Sequence, residues 1–80
     1  MNDLGDTGLA QRAELDRIEA RLQETLFGRA RNLRVLRRGI GIVLRGQAYS
    51  FYGKQLAQHV VMRATDLPIV ANEIQVVGHH

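Results

Sequence analysis

The spacing of the apolar residues changes after residue 27, and this change constrains the fold more than any other feature of the sequence. Up to that point they recur every three or four positions, which predicts an amphipathic helix over residues 9–27. The apolar stripe consists of Leu15, Ile18, Leu22 and Leu26. Gly28 follows it, where a residue without Cβ ends a helix at little cost. From residue 32 onwards, apolar and polar residues alternate instead, as they do in a strand.

Residues 32–48 predict two strands joined by a tight turn at residues 38–41. One face of this hairpin is aliphatic and is expected to face the helices. Its members are Leu33, Val35, Ile40, Ile42, Leu44 and Ala48. The opposite face is expected to be open and basic. Its members are Arg34, Leu36, Arg38, Val43 and Arg45, joined by Glu73, Gln75 and Val77 from a third strand. Gly46 falls among the inward positions, where a glycine marks a bulge or a close approach by another element, and of these we expect a crossing helix.

The second half of the chain predicts one more helix and one more strand. Ser50 can cap a helix over residues 51–65, and Pro68 prevents its continuation. Residues 69–77 predict a strand with Val70, Ile74 and Val76 on one face. The order helix, strand, strand, helix, strand predicts an α+β fold of the αββαβ type. Its two helices should pack on one face of a three-stranded mixed sheet, with a right-handed crossover into the last strand.

The length of 80 residues suits one small domain, expected over residues 9–77 between a disordered segment, residues 1–8, and a tail, residues 78–80. A core of this size is compatible with a homodimer. The chain has no cysteine, no visible secretory signal and no apolar stretch long enough to span a membrane. We therefore expect a cytoplasmic protein, or a periplasmic or membrane-associated one where a targeting segment has been removed.

The charge is distributed unevenly along the chain. Residues 1–24 carry six acidic residues and three arginines, a balance of −3. Residues 25–63 carry seven arginines, one lysine and no acidic residue, a balance of +8. Anionic partners are therefore candidates for the middle of the chain, unless the acidic first helix neutralises the basic segment within the fold or across a dimer.

No combination of residues predicts catalysis. His59 has no cysteine or second histidine at ligand spacing, and we expect it to be a partly exposed packing residue. His79 and His80 could hold a metal loosely, but a tag remnant or a mobile tail explains them more simply. The turn at residues 39–41 lacks the lysine and the following helix of a phosphate-binding loop. We predict a non-enzyme without a cofactor or a metal.

The chain resembles the BON domain, a small bacterial module named for an osmotically induced periplasmic protein and nodulation proteins. The resemblance covers residues 13–77. It is carried by Ile42-x-Leu44-x-Gly46, by Ser50, by Ala57-x-x-Val60-Val61 and by the strand VANEIQV at residues 70–76. The chain departs from the family at Leu67-Pro68-Ile69, where the family has Gly-Val. The resemblance implies binding to phospholipid or to an envelope-associated protein, and no catalysis.

Three hypotheses for function follow. The first is peripheral binding to anionic phospholipid, and the second is a homo-oligomerisation or protein-interaction module that uses the open basic sheet face. The third, weak nucleic-acid binding, is disfavoured because the first helix is acidic and the strand centres lack exposed aromatic residues. The candidate lipid- or partner-binding residues are Arg34, Leu36, Arg38, Val43, Arg45, Tyr49, Tyr52 and Lys54.

Tyr49, Phe51 and Tyr52 lie within four positions and allow two interpretations. In the first, they form the hinge between a strand and a helix, with Phe51 packed over the first turn of that helix. In the second, Tyr49 and Tyr52 bind a partner together with Lys54. We favour the hinge interpretation and retain the second.

Overall fold

The computed structural model describes residues 3–78, and the side chains of residues 11–78. The elements are α1 (Asp3–Thr25), β1 (Ala30–Arg38), β2 (Gly41–Ala48), α2 (Phe51–Ala64) and β3 (Ile69–Val76). The sheet has the order β1-β2-β3, in which β1 pairs with β2 antiparallel and β2 pairs with β3 parallel. The predicted αββαβ order and the mixed sheet are thus confirmed.

The first helix starts earlier than the sequence predicts. It begins at Asp3, so residues 3–8 are helical rather than disordered. Gly5 and Gly8 each cost a helix about 1 kcal/mol relative to alanine, which is why the sequence disfavours a helix there. Met1, Asn2, His79 and His80 lie outside the described residues, so the predictions for them are untested.

The core lies between one face of the sheet and the two helices. It contains the apolar stripe of α1, the inner face of the sheet and the buried side of α2. Its members are Ile18, Leu22, Leu26, Leu33, Val35, Ile42, Leu44, Ala48, Ala57, Val61 and Ile74. Burying one large aliphatic side chain contributes about 1.5–3 kcal/mol. The alternation of apolar and polar residues along the strands therefore determines which face of the sheet the helices cover.

Ile40 is an exception to the predicted inner face. β1 ends at Arg38 and β2 begins at Gly41, so Ile40 is the second residue of a two-residue turn. Its side chain is 82% exposed. Gly39, the first turn residue, has a φ of 58°, and a glycine at that position suits the twist of a short hairpin. The pattern of alternation does not extend through the turn.

Gly46 accommodates a β-bulge and not a crossing helix. The register of β1 against β2 shifts so that Asn32 and Leu33 both lie opposite Gly46. Gly46 has a φ of 145°. A Cβ atom at this position would lie 2.9 Å from Cδ2 of Leu33 and 3.0 Å from the carbonyl oxygens of Arg31 and Asn32. The close neighbour is therefore the adjacent strand, which corrects the prediction.

A second irregularity displaces Val70 from the predicted face of β3. Ile42 pairs with Ile69 but Val43 pairs with Ala71, so the register passes over Val70. Val70 is 51% exposed, and its Cγ2 would lie 2.7 Å from a Cβ atom on Gly41. Of the three residues predicted to share the inner face, only Ile74 is buried, because Val76 near the strand end is 46% exposed.

Two side chains of α1 bond to the outer edge of β1. The Oε1 atom of Glu19 accepts a hydrogen bond of 2.9 Å from the backbone N–H of Val35. The Nε2 atom of Gln23, one turn later, donates a bond of 3.2 Å to the carbonyl oxygen of Leu33. An edge strand with unpaired backbone groups is a template for another strand. At these two positions α1 takes the place of such a strand.

One backbone donor on the outer edge of β3 is satisfied by a side chain of the same strand. The Oδ1 atom of Asn72 accepts a bond of 3.2 Å from the backbone N–H of Ile74. Its Nδ2 atom donates to the carbonyl oxygen of Lys54 at 3.2 Å and to Oε1 of Gln58 at 3.3 Å. Asn72 therefore connects the edge of the sheet to α2 and occupies a backbone donor that a second strand would need.

Candidate binding surface

The structure separates the predicted binding residues into two groups. Five of them lie on the open face of the sheet, on β1 and β2. They are Arg34, Leu36, Arg38, Val43 and Arg45. The other three, Tyr49, Tyr52 and Lys54, lie at one end of the sheet, where β2 leads into α2. The two groups therefore form two different surfaces.

Glu73 reduces the positive charge of the open face. This β3 residue accepts a bond of 3.1 Å from Nη1 of Arg38 and one of 3.0 Å from Nε of Arg45. The hydrogen bond from Arg38 is the main reason that the pKa of the Glu73 carboxyl lies below its usual range, and Arg45 lowers it further while burial acts in the opposite direction. One carboxylate thus serves two of the predicted binding arginines.

Arg34 is also paired within the chain. Its Nε atom lies 3.2 Å from Oε1 of Glu19, the residue that also accepts the N–H of Val35. Exposed ion pairs of this kind contribute little to stability, but they lower the local charge. The open face is consequently much less positive than the count of its arginines predicts.

Val43 is inaccessible, which corrects its prediction as a binding residue. Its side chain is only 1% exposed although it lies on the sheet face opposite the helices. Leu36 and Ala71 are its direct neighbours on β1 and β3. The Arg38–Glu73 pair joins the two outer strands and so spans the central strand that carries Val43. Side chains of the open face itself therefore cover this valine.

A different surface gathers every aromatic residue of the chain. Phe27 lies between α1 and β1, and Tyr49, Phe51 and Tyr52 lie between β2 and the first turn of α2. A hydrogen bond of 3.0 Å from the N–H of Tyr49 to the carbonyl oxygen of Arg29 joins the two segments. We call residues 27–31 and 49–54 together the aromatic end.

Two arginines of the aromatic end stack on its tyrosines. The Cζ atom of Arg29 lies 5.6 Å from the ring centroid of Tyr52. The Cζ atom of Arg31 lies 5.9 Å from the ring centroid of Tyr49. Both distances are within the range of a cation–π interaction, which is worth about 0.5–1 kcal/mol at an exposed site. Each pair joins a residue of one segment to a residue of the other.

Three rings of the aromatic end are largely exposed to solvent. Phe27 is 88% exposed, Phe51 63% and Tyr52 61%. The exposure of Phe51 corrects the expectation that it packs over the first turn of α2. Phe27 is not among the binding residues predicted from the sequence. Phe27 falls outside the apolar stripe that ends at Leu26, and this position is the sequence feature that indicates an exposed ring.

The hinge interpretation of this segment is also supported, because Ser50 and Gly53 have structural roles. The Oγ atom of Ser50 accepts a bond of 3.0 Å from the N–H of Gly53, as predicted for an N-cap. A Cβ atom on Gly53 would lie 3.3 Å from the carbonyl oxygen of Arg29, so the glycine allows the two segments to approach. The backbone serves as the hinge, while the rings stay accessible.

Among the side chains of residues 11–78, no three histidine, cysteine, aspartate or glutamate residues come together in a way that could hold a metal ion. His59 is exposed on α2. Among residues 3–78, neither helix has the length and apolar character required to cross a bilayer.

The chain matches no protein-family model, no curated protein and no solved structure.

Proposed function

We propose that this protein is a non-catalytic binding module, similar to BON domains, that binds anionic phospholipid membranes peripherally through the aromatic end. The observation that carries the proposal is that all four aromatic residues lie at one end of the molecule beside stacked arginines. The element order is the one that the spacing of apolar residues predicts.

The charge of the aromatic end supports an anionic partner. Residues 27–31 and 49–54 contain Arg29, Arg31 and Lys54 and no acidic residue. A basic residue close to an anionic leaflet contributes about 1 kcal/mol, or about fivefold in partitioning. Three such residues correspond to a preference of about a hundredfold for anionic over neutral membranes at low salt. Exposed aromatic rings favour the headgroup region of either membrane.

Co-sedimentation with lipid vesicles tests the proposal. We expect the protein to pellet with vesicles of phosphatidylcholine mixed with phosphatidylglycerol, to pellet far less with phosphatidylcholine alone, and to dissociate as salt is added. Either Arg29→Gln or Arg31→Gln alone should lower the bound fraction. Arg37→Gln is the matched control, because Arg37 is an exposed arginine near the other end of β1. Equal binding to both kinds of vesicle would contradict the proposal.

The two alternative hypotheses have less support. For self-association through the open face, Arg34, Arg38 and Arg45 are already paired within one chain. For nucleic-acid binding, the rings lie at the end of the sheet and not at strand centres, where RNA-binding sheets carry them. Sedimentation velocity and a mobility shift with single-stranded RNA at low ionic strength test these alternatives.

A further inference from the structure

We propose, on the basis of the proposed function, that Phe27 and Phe51 insert together into the boundary between headgroups and acyl chains. The strands would then stand steeply on an anionic bilayer, and the open sheet face would not lie flat on it. This assigns a binding role to Phe27, and it replaces the sheet face with the aromatic end as the surface of contact.

The exposure of the two rings is the first support. Phe27 is 88% exposed and Phe51 is 63% exposed, although neither side chain has a polar atom that gains from water. Moving a phenyl ring out of water is favourable in proportion to the apolar area that it hides. Phe27 lies two residues beyond the end of α1, and Phe51 is the first residue of α2. Phe27 on a turn and Phe51 at the start of a helix thus lie at the same end of the sheet, from which their rings can enter a bilayer without rearrangement of the core.

The backbone beneath the rings is already ordered, so insertion does not require folding. The N–H groups of Arg29 and Ala30 both donate to the carbonyl oxygen of Leu26, at 2.8 Å and 3.1 Å. The N–H of Tyr49 donates to the carbonyl oxygen of Arg29 at 3.0 Å and so ties this turn to the one that carries Phe51. Two anchors on one rigid base bind with a smaller entropic cost than two on mobile loops.

The arrangement of charge around the rings favours a bilayer over a protein groove. Arg29 and Arg31 stack on Tyr52 and Tyr49, which holds their guanidinium groups beside phenol rings. Phenol rings and arginine side chains prefer the interfacial region, whereas phenyl rings can go deeper. Two exposed phenyl anchors among cations match a broad anionic surface with an apolar interior.

Single-tryptophan variants test the insertion, since the chain has no tryptophan of its own. We would prepare Phe27→Trp, Phe51→Trp and the control Ile40→Trp, which replaces an 82% exposed residue in the turn at the opposite end. On addition of anionic vesicles, the emission of the first two should shift to shorter wavelength and be quenched by acyl-chain bromine. The emission of Ile40→Trp should not change.

The outcomes separate this inference from the proposed function. If the variants pellet with anionic vesicles but the emission of Phe27→Trp and Phe51→Trp stays at its aqueous wavelength, the insertion is wrong and the proposed function stands. If the emission of Ile40→Trp shifts and that of the other two variants does not, the opposite end of the molecule faces the bilayer and the inferred orientation is wrong. If no variant and no parent protein pellets, both proposals fail. In a second measurement, Phe27→Ser should weaken partitioning about tenfold and Ile40→Ser should leave it unchanged.

Discussion

Replacing Gly46 with alanine tests whether the bulge between β1 and β2 requires a residue without a side chain at this position. Gly46 has a φ of 145°, a region that is nearly closed to residues with a side chain, and entering it costs about 1–3 kcal/mol. The new methyl group would also lie 2.9 Å from Cδ2 of Leu33 and 3.0 Å from two carbonyl oxygens of β1. Leu33 is a core residue and the oxygens belong to the backbone, so neither neighbour can move freely.

Adding the overpacking cost to the backbone cost gives a destabilisation of about 3 kcal/mol for Gly46→Ala. A domain of this size has a total free energy of unfolding of about 4–12 kcal/mol, so the change removes a large part of it. The melting temperature should fall by about 12–24 °C. Urea unfolding followed by circular dichroism measures the free energy, and a thermal scan measures the melting temperature.

Gly39→Ala is the matched control for this prediction. Gly39 also has a positive φ, 58°, but no atom lies within 4 Å of a Cβ built on it. The control should therefore lose only the backbone cost of about 1–2 kcal/mol. If Gly46→Ala unfolds at the same urea concentration as Gly39→Ala, the close approach of β1 does not constrain residue 46 and our account of the bulge is wrong.

Three further predictions concern the edge of β3, the start of α2 and the ion pairs of the open face. Asn72→Ala removes the acceptor for the Ile74 N–H and should cost about 2 kcal/mol in urea unfolding. It should also increase self-association in sedimentation velocity, and a variant that stays as monomeric as the parent would show that the edge needs no protection. Ser50→Ala removes the N-cap and should cost about 1 kcal/mol, with Ser50→Asp close to the parent; equal losses in both would contradict the capping role. The pKa of Glu73 is lowered, so its ion pairs should stabilise the folded state at neutral pH, and this contribution should be lost as the pH falls through the lowered pKa. Melting temperatures of the parent and Glu73→Gln should therefore converge in acid, and a constant difference down to low pH would refute the role of the carboxylate.

The order of elements could be predicted because it depends on periodicity, which is a property of the sequence alone. The stripe from Leu15 to Leu26 and the alternation from Leu33 to Leu44 require different backbones if one side is to be buried. The bulges could not be predicted in the same way. Asn32 and Val70 leave the regular pairing because of contacts with a neighbouring strand, and those contacts are specified by no local pattern.

The candidate site could be predicted only in part. Alternation correctly placed Arg34, Arg38 and Arg45 on the open face, but their partners Glu19 and Glu73 are 15, 35 and 28 residues away in the chain. Such pairs appear only when the elements are packed together. The aromatic segment at residues 49–52 was evident from the sequence, whereas the approach of the turn at Phe27 required the fold.

The side-chain hydrogen bonds at the edges of the sheet matter most when many copies of the protein lie close together. Proteins bound to a bilayer meet one another far more often than in solution. Strands with unpaired edges would then pair between neighbouring molecules and form a continuous sheet. Glu19 and Gln23 on one edge and Asn72 on the other already occupy three of the backbone groups that such a sheet would use. If the protein binds membranes as proposed, the molecules on a crowded membrane should consequently remain separate, and each should be able to dissociate.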